Sequence, residues 1–538
     1  MTKDFEYFSY RLDKLKMKRA NYESKWDELA VFCDARNAYF RVKKTNGDLS
    51  QLIPKTDDTA QLYLPLYAAI MNSMLSPQAY IWHQLKFFDR QVQEEYGDWL
   101  AQENEMLFRY RYSGASNFMS AINEVYISTV VYGHAILEMK KDRLKKRVSY
   151  TCLPIREFYI DKDFSGRINT FYRVVETTYK NLMEIFPKYV PEKFKGRSDF
   201  KWLDDRVELV HSIEPSLDKQ GYYTSTYIDT TNRTIISQTE IDHCPYLCVR
   251  SSVFPSSDDP YGFSPCMSIL PSIKALNSLQ FNFIKQTDMA GQPTLLTNSD
   301  VIDASKVTAS GSVIEGGLDD EGRPMVQALR TFADYPALDY QIKMLQDKVK
   351  QALFINFFSS FSETQSRSAT DAMLKANEKA NLIAPAGDRI ARELLIPMIE
   401  LELKLYGDMA MLPPAPEGLA DPLIYTEFDI TLDNPLLKGQ RMDSANNIMT
   451  MLTYVGQIAG FDQSVVATIN SDKVVRNLQD IMNIPSDVVN TTAETKAIIE
   501  EQERVAAQQA AVSAAPQIAA TMKDGAAAYA AMQGAANG

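Results

Sequence analysis

A chain of 538 residues is too long for one ordinary core and reads as several lobes. Its formal net charge of -12 argues against a protein that grips nucleic-acid phosphates tightly, because such a grip draws on a basic surplus. Five cysteines without framework spacing exclude a disulfide scaffold and point to a reducing assembly environment.

The N-terminus, Met1-Thr2-Lys3-Asp4, places charge where a signal peptide would need an apolar run. The longest apolar stretch, 125–139, is broken by Ser128, Thr129 and His134 and is too short to span a bilayer. A soluble chain is expected.

In chain order, 5–32 predicts a helix from apolar residues at three- and four-residue steps. A turn-rich stretch, 45–59, precedes a second helix over 62–74, stopped by Ser76-Pro77. Two more helices are expected over 90–112 and 116–131. The period then shortens to that of strands at 135–140, 148–153, 158–160 and 172–176. A hairpin follows, 222–228 and 234–237 about a turn at 229–233, and 244–254 adds a further strand.

Long helices come next. The segment 265–288 sets Ile269, Ile273, Leu276, Leu279 and Phe283 on one stripe. A Ser-, Gly- and Asp-rich insert with strand-like pieces at 294–297 and 312–315 leads to the most regular helix, 336–356. There Leu338, Ile342, Leu345, Val349, Ala352 and Asn356 follow the four-three spacing of a helix–helix seam, over about 30 Å. After a Ser-rich loop with three Phe, 357–367, a long helix over 368–405 should kink at Pro385 and Gly387. A Pro-rich connector, a strand at 426–432 and helices from 437 complete the ordered chain, and the residues after 491 are Ala-rich.

This order, with its local motifs, resembles the portal (head-to-tail connector) proteins of short-tailed bacteriophages. Ala69-Ile-Met-Asn-Ser-Met-Leu75-Ser-Pro77 followed by Trp82-His-Gln-Leu85 is similar to the family's helix, proline and Trp-x-x-Leu. Val130-Val-Tyr-Gly133-His-Ala-Ile-Leu137 resembles its helix-to-strand turn at a glycine. Cys244-Pro-Tyr246 and then Tyr261-Gly-Phe-Ser264 resemble its Pro-Tyr strand and the entry to its first stem helix. Arg367-Ser-Ala-Thr-Asp371 and Glu393-Leu-Leu-Ile-Pro397 match the opening and a later step of its long helix, although Ala369-Thr370 reverses the family's Thr-Ala pair.

The resemblance implies a predominantly helical α+β portal fold of wing, stem, clip and crown that assembles as a ring, expected to be a dodecamer. On it, 1–263 would be the α+β wing, 264–290 the first stem helix and 291–334 the clip. The second stem helix would be 335–356, the tunnel loop 357–367, and the long kinked wing helix with its return strand 368–435. A helical crown, 436–490, and an Ala-rich tail, 491–538, would follow. The implied partners are further copies of the chain, double-stranded DNA in the lumen, major capsid and scaffolding proteins, terminase, and tail adaptors. The implied place is the portal vertex of the virion, with no membrane, cofactor, metal or catalytic residue.

Residue by residue, enzyme motifs fail. Gly311-Ser-Val-Ile-Glu-Gly316 has phosphate-loop glycine spacing, but Gly317-Leu318 replaces the Lys and Ser/Thr that would reach phosphate and magnesium. His243, Cys244, Cys248 and Cys266 lack a second knuckle, and the cysteines read as buried residues of a β lobe. Asp258-Asp259 and Asp319-Asp320 read as loop acids. His83, His134, His211 and His243 sit in no acid–base pattern. Lys274, Lys285, Lys343 and Lys350 read as a solvated helix face, or, in a ring, as circles of charge touching passing phosphates. In a tunnel loop, Ser359, Ser360, Ser362, Glu363, Gln365 and Arg367 would approach DNA most closely. The alternatives are another head–tail adaptor, usually much shorter, and a phage nucleic-acid enzyme.

Overall fold

The computed structural model describes residues 4–34, 56–142, 144–195, 201–253, 258–291, 293–297, 317–319, 321–328, 335–355, 387–416, 428–433 and 435–460, with isolated positions elsewhere. The chain divides into two units. The first comprises Met1–His83, Glu105–Leu412 and Leu432–Gln440; the second comprises Gln84–Asn104, Pro413–Thr431 and Arg441–Gly538.

In chain order the elements are α1 (Phe5–Phe32), α2 (Thr59–Leu75), β1 (His83–Phe87), α3 (Arg90–Arg111), α4 (Phe118–Tyr132), β2 (His134–Asp142) and β3 (Arg147–Leu153). Then come β4 (Phe158–Lys162), β5 (Ile168–Thr178), α5 (Tyr179–Ile185), β6 (Arg206–Pro215), β7 (Tyr223–Asp229), β8 (Thr234–Ile241) and β9 (Tyr246–Arg250). The remainder are α6 (Pro265–Gly291), β10 (Leu295–Thr297), β11 (Val326–Ala328), α7 (Tyr335–Ala352), α8 (Ile396–Gly407), β12 (Phe428–Leu432) and α9 (Pro435–Ala459).

In the first unit, α1 starts where the Asp4 carboxylate accepts from the Tyr7 N–H at 2.9 Å. Phe8, Leu12, Leu15, Arg19, Tyr22, Trp26 and Leu29 are its buried face, a strict four-three alternation. Phe8, Leu12 and Leu15 pack on Tyr172, Val210 and Ile228 of an antiparallel five-stranded sheet ordered β4-β5-β6-β7-β8. Arg19 is buried because its guanidinium donates to the Arg156 and Phe158 carbonyls, both at 2.8 Å, and stacks on Tyr159. A second sheet, ordered β3-β2-β9, is antiparallel throughout and lies next to α4 in the chain's path.

The sequence pattern finds these helices but misses β1, β6 and α5. The strand β6, the middle of the larger sheet, carries Glu208, His211, Ser212 and Glu214, which hide its alternation. The long α7 ends at Ala352 rather than 356, because Phe354 takes a positive φ of 56° that no helix continues through. The strand-like 294–297 pairs with β11, Leu295 opposite Ala328, and the 312–315 piece falls almost wholly outside the described residues.

In the second unit, β1 pairs with β12, and the first four turns of α3 lie in the same unit. Phe87, Trp99, Leu100, Ala415, Leu419 and Phe428 form its small apolar centre. No helix among the described residues is long and apolar enough to cross a membrane.

Candidate functional site

The two long helices α6 and α7 pack on each other. Ile342, Leu345 and Val349, three of the six seam positions, are buried in α7, while Cys266, Met267, Leu270, Ile273 and Leu276 are buried in α6. The pair is fastened at its far end by Tyr335, whose ring meets Phe283 edge-on at 6.2 Å and whose hydroxyl donates to the Gln286 carbonyl at 3.3 Å.

The four candidate lysines fall in different surroundings. Lys274 pairs with Glu28 of α1 at 2.7 Å, tying α6 to the first helix. Lys343 pairs with Asp339, one turn away on its own exposed face, and half-buried Lys350 pairs with Asp347 while lying over the Tyr63 ring. Lys285 is exposed near the end of α6. The six loop positions, Ser359, Ser360, Ser362, Glu363, Gln365 and Arg367, lie outside the described residues, as do Pro385 and the first half of the long helix.

Two motifs that are far apart in sequence meet at the root of α6. Gly133 caps α4 with φ +88°, and a Cβ built on it would stand 2.3 Å from the Gly262 carbonyl oxygen. A Cβ on Gly262 would stand 2.0 Å from the Gly133 oxygen, so only glycine fits on either side. Around this contact the Ser251 N–H donates to Gly133 O at 2.8 Å, and Phe263 N–H to Ser252 O at 2.8 Å. The Ser264 hydroxyl donates to Val131 O at 2.7 Å and accepts from Met267 N–H at 2.8 Å, capping α6 while tethering it to α4.

Beside this root, Glu393 lies in a π-helical turn, Ala391–Leu395, that leads directly into α8. Its carboxylate accepts from the Arg250 backbone N–H at 2.8 Å and from the Arg250 guanidinium at 2.7 and 3.2 Å. The same guanidinium donates to Gly166 O at 2.9 Å. One arginine therefore joins β9, the β4–β5 turn and the π turn that leads into α8.

A second ionic knot was not expected from sequence. Arg111, Glu402 and His83 are all fully buried. The Arg111 guanidinium forks onto both oxygens of Glu402, contacts His83 Nε2 at 2.6 Å and lies over the Trp82 ring. The Tyr150 hydroxyl donates to Glu402 at 2.7 Å. Burial works against the Arg111 charge, yet Glu402 more than offsets it and holds the guanidinium above its ordinary value. The sequence did carry a sign of this knot: Glu402 occupies the apolar stripe of Leu395, Met398, Ile399 and Leu405, where a solvated acid has no place.

Two histidines are buried as neutral rings. His211 stands between the Tyr246 hydroxyl, 2.8 Å from Nδ1, and the Ser225 hydroxyl, 2.9 Å from Nε2, stacked on Tyr227 at 4.0 Å. Burial, with Lys140 and Arg173 adding to it, pushes its pKa down to about 3. Burial does the same to His134, against the opposing Tyr132 backbone bond, again to about 3. Down to that value the unfolded chain binds protons that these rings refuse, so stability is full above the ordinary histidine pKa and falls as pH drops below it. Each ring should cost about 2 kcal/mol between about pH 7 and about pH 5. Urea denaturation across that range should show the slope, and His211→Asn should remove its share.

Ser225 and His211 form a hydroxyl–imidazole pair, but both are buried in the sheet and the ring is held a poor base, and no group of three metal-ligating side chains converges among the described residues. The elements serve to fix helices. Residues 6–489 match the family described as bacteriophage head to tail connecting protein. The chain belongs to the bacteriophage head-to-tail connecting protein family. Two relatives run alongside it over nearly their whole length. A protein of Bordetella phage BPP-1, named "Probable portal protein", is 23% identical over 525 residues, covering 93% of this chain and 92% of that one. The "Portal protein" of Salmonella phage epsilon15 is 22% identical over 543 residues, covering 96% and 94%. A chain in the neck of an empty GTA particle aligns over 78% of this chain and 93% of its own at 11% identity, but with a TM-score of 0.37 it adds nothing to the fold argument. As a head-to-tail connecting protein the chain acts as a phage portal, a structural part of the virion at the capsid vertex and not an enzyme.

Proposed function

We propose that copies of this chain close into a ring, a dodecamer, around a channel through which double-stranded DNA is packaged and ejected. The family membership over residues 6–489 carries this reading. In it, 1–263 is the wing, α6 and α7 are the stem helices within 264–290 and 335–356, and 291–334 is the clip. The tunnel loop is 357–367, the long kinked wing helix with its return strand 368–435, the crown 436–490 and the tail 491–538. Terminase docks on the clip during packaging and tail adaptors replace it; major capsid and scaffolding proteins meet the wing.

The surfaces of α6 and α7 support self-association. Phe281, Ile284 and Met289 on α6, with Tyr340 and Met344 on α7, leave large apolar areas exposed, Tyr340 at 71%. A neighbouring copy using a heterologous, rotationally closing contact would cover them. A net charge of -12 suits a bore that DNA must slide past, while Lys285 and Lys343 supply sparse rings of positive charge for passing phosphates.

Electron microscopy of the purified protein should show closed rings with a central hole of about 20–40 Å, wide enough for a groove-bearing duplex. Phe281→Asp combined with Tyr340→Asp should leave the subunit folded but shift it to monomer in sedimentation. A wild-type chain that stays monomeric at high concentration overturns the reading.

A further inference from the structure

The β2–β3 hairpin ends in the densest run of positive charge in the chain. Residues 140–147, Lys-Lys-Asp-Arg-Leu-Lys-Lys-Arg, hold six basic residues and one acid in eight positions, within a chain of net charge -12. Strand β2 pairs with β9 over His134–Glu138 but with β3 as far as Asp142, opposite Arg147. The hairpin therefore runs on past β9 as a two-stranded ribbon, closed by a turn that contains Leu144, Lys145 and Lys146. Arg143 lies outside the described residues.

The carboxylates along the ribbon are already engaged. Glu138 pairs with Lys140 at 2.7 Å, Asp142 with Arg147 at 3.6 Å, and Asp408, just after α8, with Lys141 at 2.6 Å. Asp142 also accepts from the Lys145 backbone N–H at 3.1 Å, and the Arg147 guanidinium donates to the Ala115 carbonyl, so the turn is shaped from within. Lys145 and Lys146 are exposed, and their ammonium groups pair with no carboxylate among the described residues. Lys146 takes a φ of +46°, a left-handed conformation that glycine or asparagine adopts more readily. A charge kept on a backbone that does not favour lysine points to use of the charge rather than to turn formation.

We propose that the β2–β3 tip is a docking point for duplex DNA, made through phosphates without regard to base sequence and distinct from the lysines of α6 and α7. Each ammonium stands on a flexible four-carbon stem and meets phosphate as a point charge, releasing the counterions condensed there. The tip projects outward and offers no socket, which suits a polyanion whose phosphates repeat along its length. The acidic remainder of the chain repels DNA, so the contact is confined to the tip and is weak and salt-sensitive. From the portal reading the proposal takes only the presence of duplex DNA; the tip belongs to one subunit, whether or not subunits close into a ring.

Retention of a fluorescent closed circular duplex by the full-length protein tests it, because a closed circle cannot thread a closed ring. The wild type should hold the circle at about 50 mM salt and release it by about 200 mM. Lys145→Gln with Lys146→Asn should bind about tenfold more weakly at the lower salt, and flatten the log–log salt slope by about 2 for each tip engaged. If that variant fails to fold, Lys145→Gln alone should flatten the slope by about 1. Lys180→Gln with Lys188→Gln, which removes the same charge from exposed positions in and after α5, should stay within about twofold of wild type. Leu144→Ser should do the same, since phosphate needs no apolar anchor. Polyglutamate should displace the circle no better than simple salt of equal ionic strength. A wild type that ignores the circle at low salt, or a tip variant that binds it as wild type does, overturns the proposal. So does an equal loss in either control variant, or displacement by polyglutamate at low concentration, which would mark the tip as a site for acidic protein. Rings that ignore the circle would remove the tip site and leave the ring reading; binding without rings would do the reverse.

Discussion

Gly133→Ala and Gly262→Ala should each lose about 3 kcal/mol or more of stability, enough to remove most soluble protein. The cause is steric and lies in the main chain. A methyl at 133 would sit 2.3 Å from a carbonyl oxygen and hold φ at +88°; one at 262 would sit 2.0 Å from the reciprocal oxygen. Backbone atoms cannot step aside as a flexible side chain could. Relief requires moving the start of α6 away from α4, which would break the Ser264–Val131 hydrogen bond and the Ser251–Gly133 bond together. Gly114→Ala, with open space around its Cβ, is the control and should stay within about 0.5 kcal/mol. Chemical denaturation of the three variants, read beside their yield of assembled particles, checks the prediction. Equal midpoints for all three would show that the root of α6 yields.

Glu402→Gln should cost about 3–5 kcal/mol, because it strands the Arg111 charge where no water reaches it. Arg111→Met should cost a similar amount by leaving Glu402 bare. Replacing both together, Arg111→Met with Glu402→Leu, should recover much of the loss, since a buried pair is far harder to halve than to remove. The recovery will be incomplete: Tyr150 and His83 each lose a partner, and the guanidinium no longer covers Trp82. A double-mutant cycle by denaturation, with Glu402→Leu also made alone to close it, gives the coupling directly. Additive losses would mean that the two side chains do not depend on each other.

What could be read in the sequence, and what could not, follows from the range of the interactions involved. Helical periodicity is a local property, so α1, α4, α6 and α7 were legible within a few residues. The glycine motifs at 133 and 262 were legible as motifs, but their mutual contact was not, because they stand 129 positions apart in the chain and nothing local encodes the pairing. The strand β6 escaped because His211 and Glu214 look solvent-facing until Tyr246, Ser225 and Tyr172 are seen to satisfy them. Glu402 escaped for the related reason that its partner, Arg111, is on a different helix. The lysine pairs 274/285 and 343/350 could be placed on two helices, but the pairing of Lys274 with Glu28 of α1 joins distant segments and no local pattern encodes it.

The π turn at Ala391–Leu395 holds one residue more than an α-helical turn needs. Because the surplus is confined there, α8 holds Met398, Ile399 and Glu402 in the core while Glu393, upstream, still reaches Arg250. Loss of one residue from 391–395 would restore ordinary helical hydrogen bonding but turn everything before it by about 100° relative to everything after. The length of this stretch is thus tied to the direction in which the preceding segment leaves the fold.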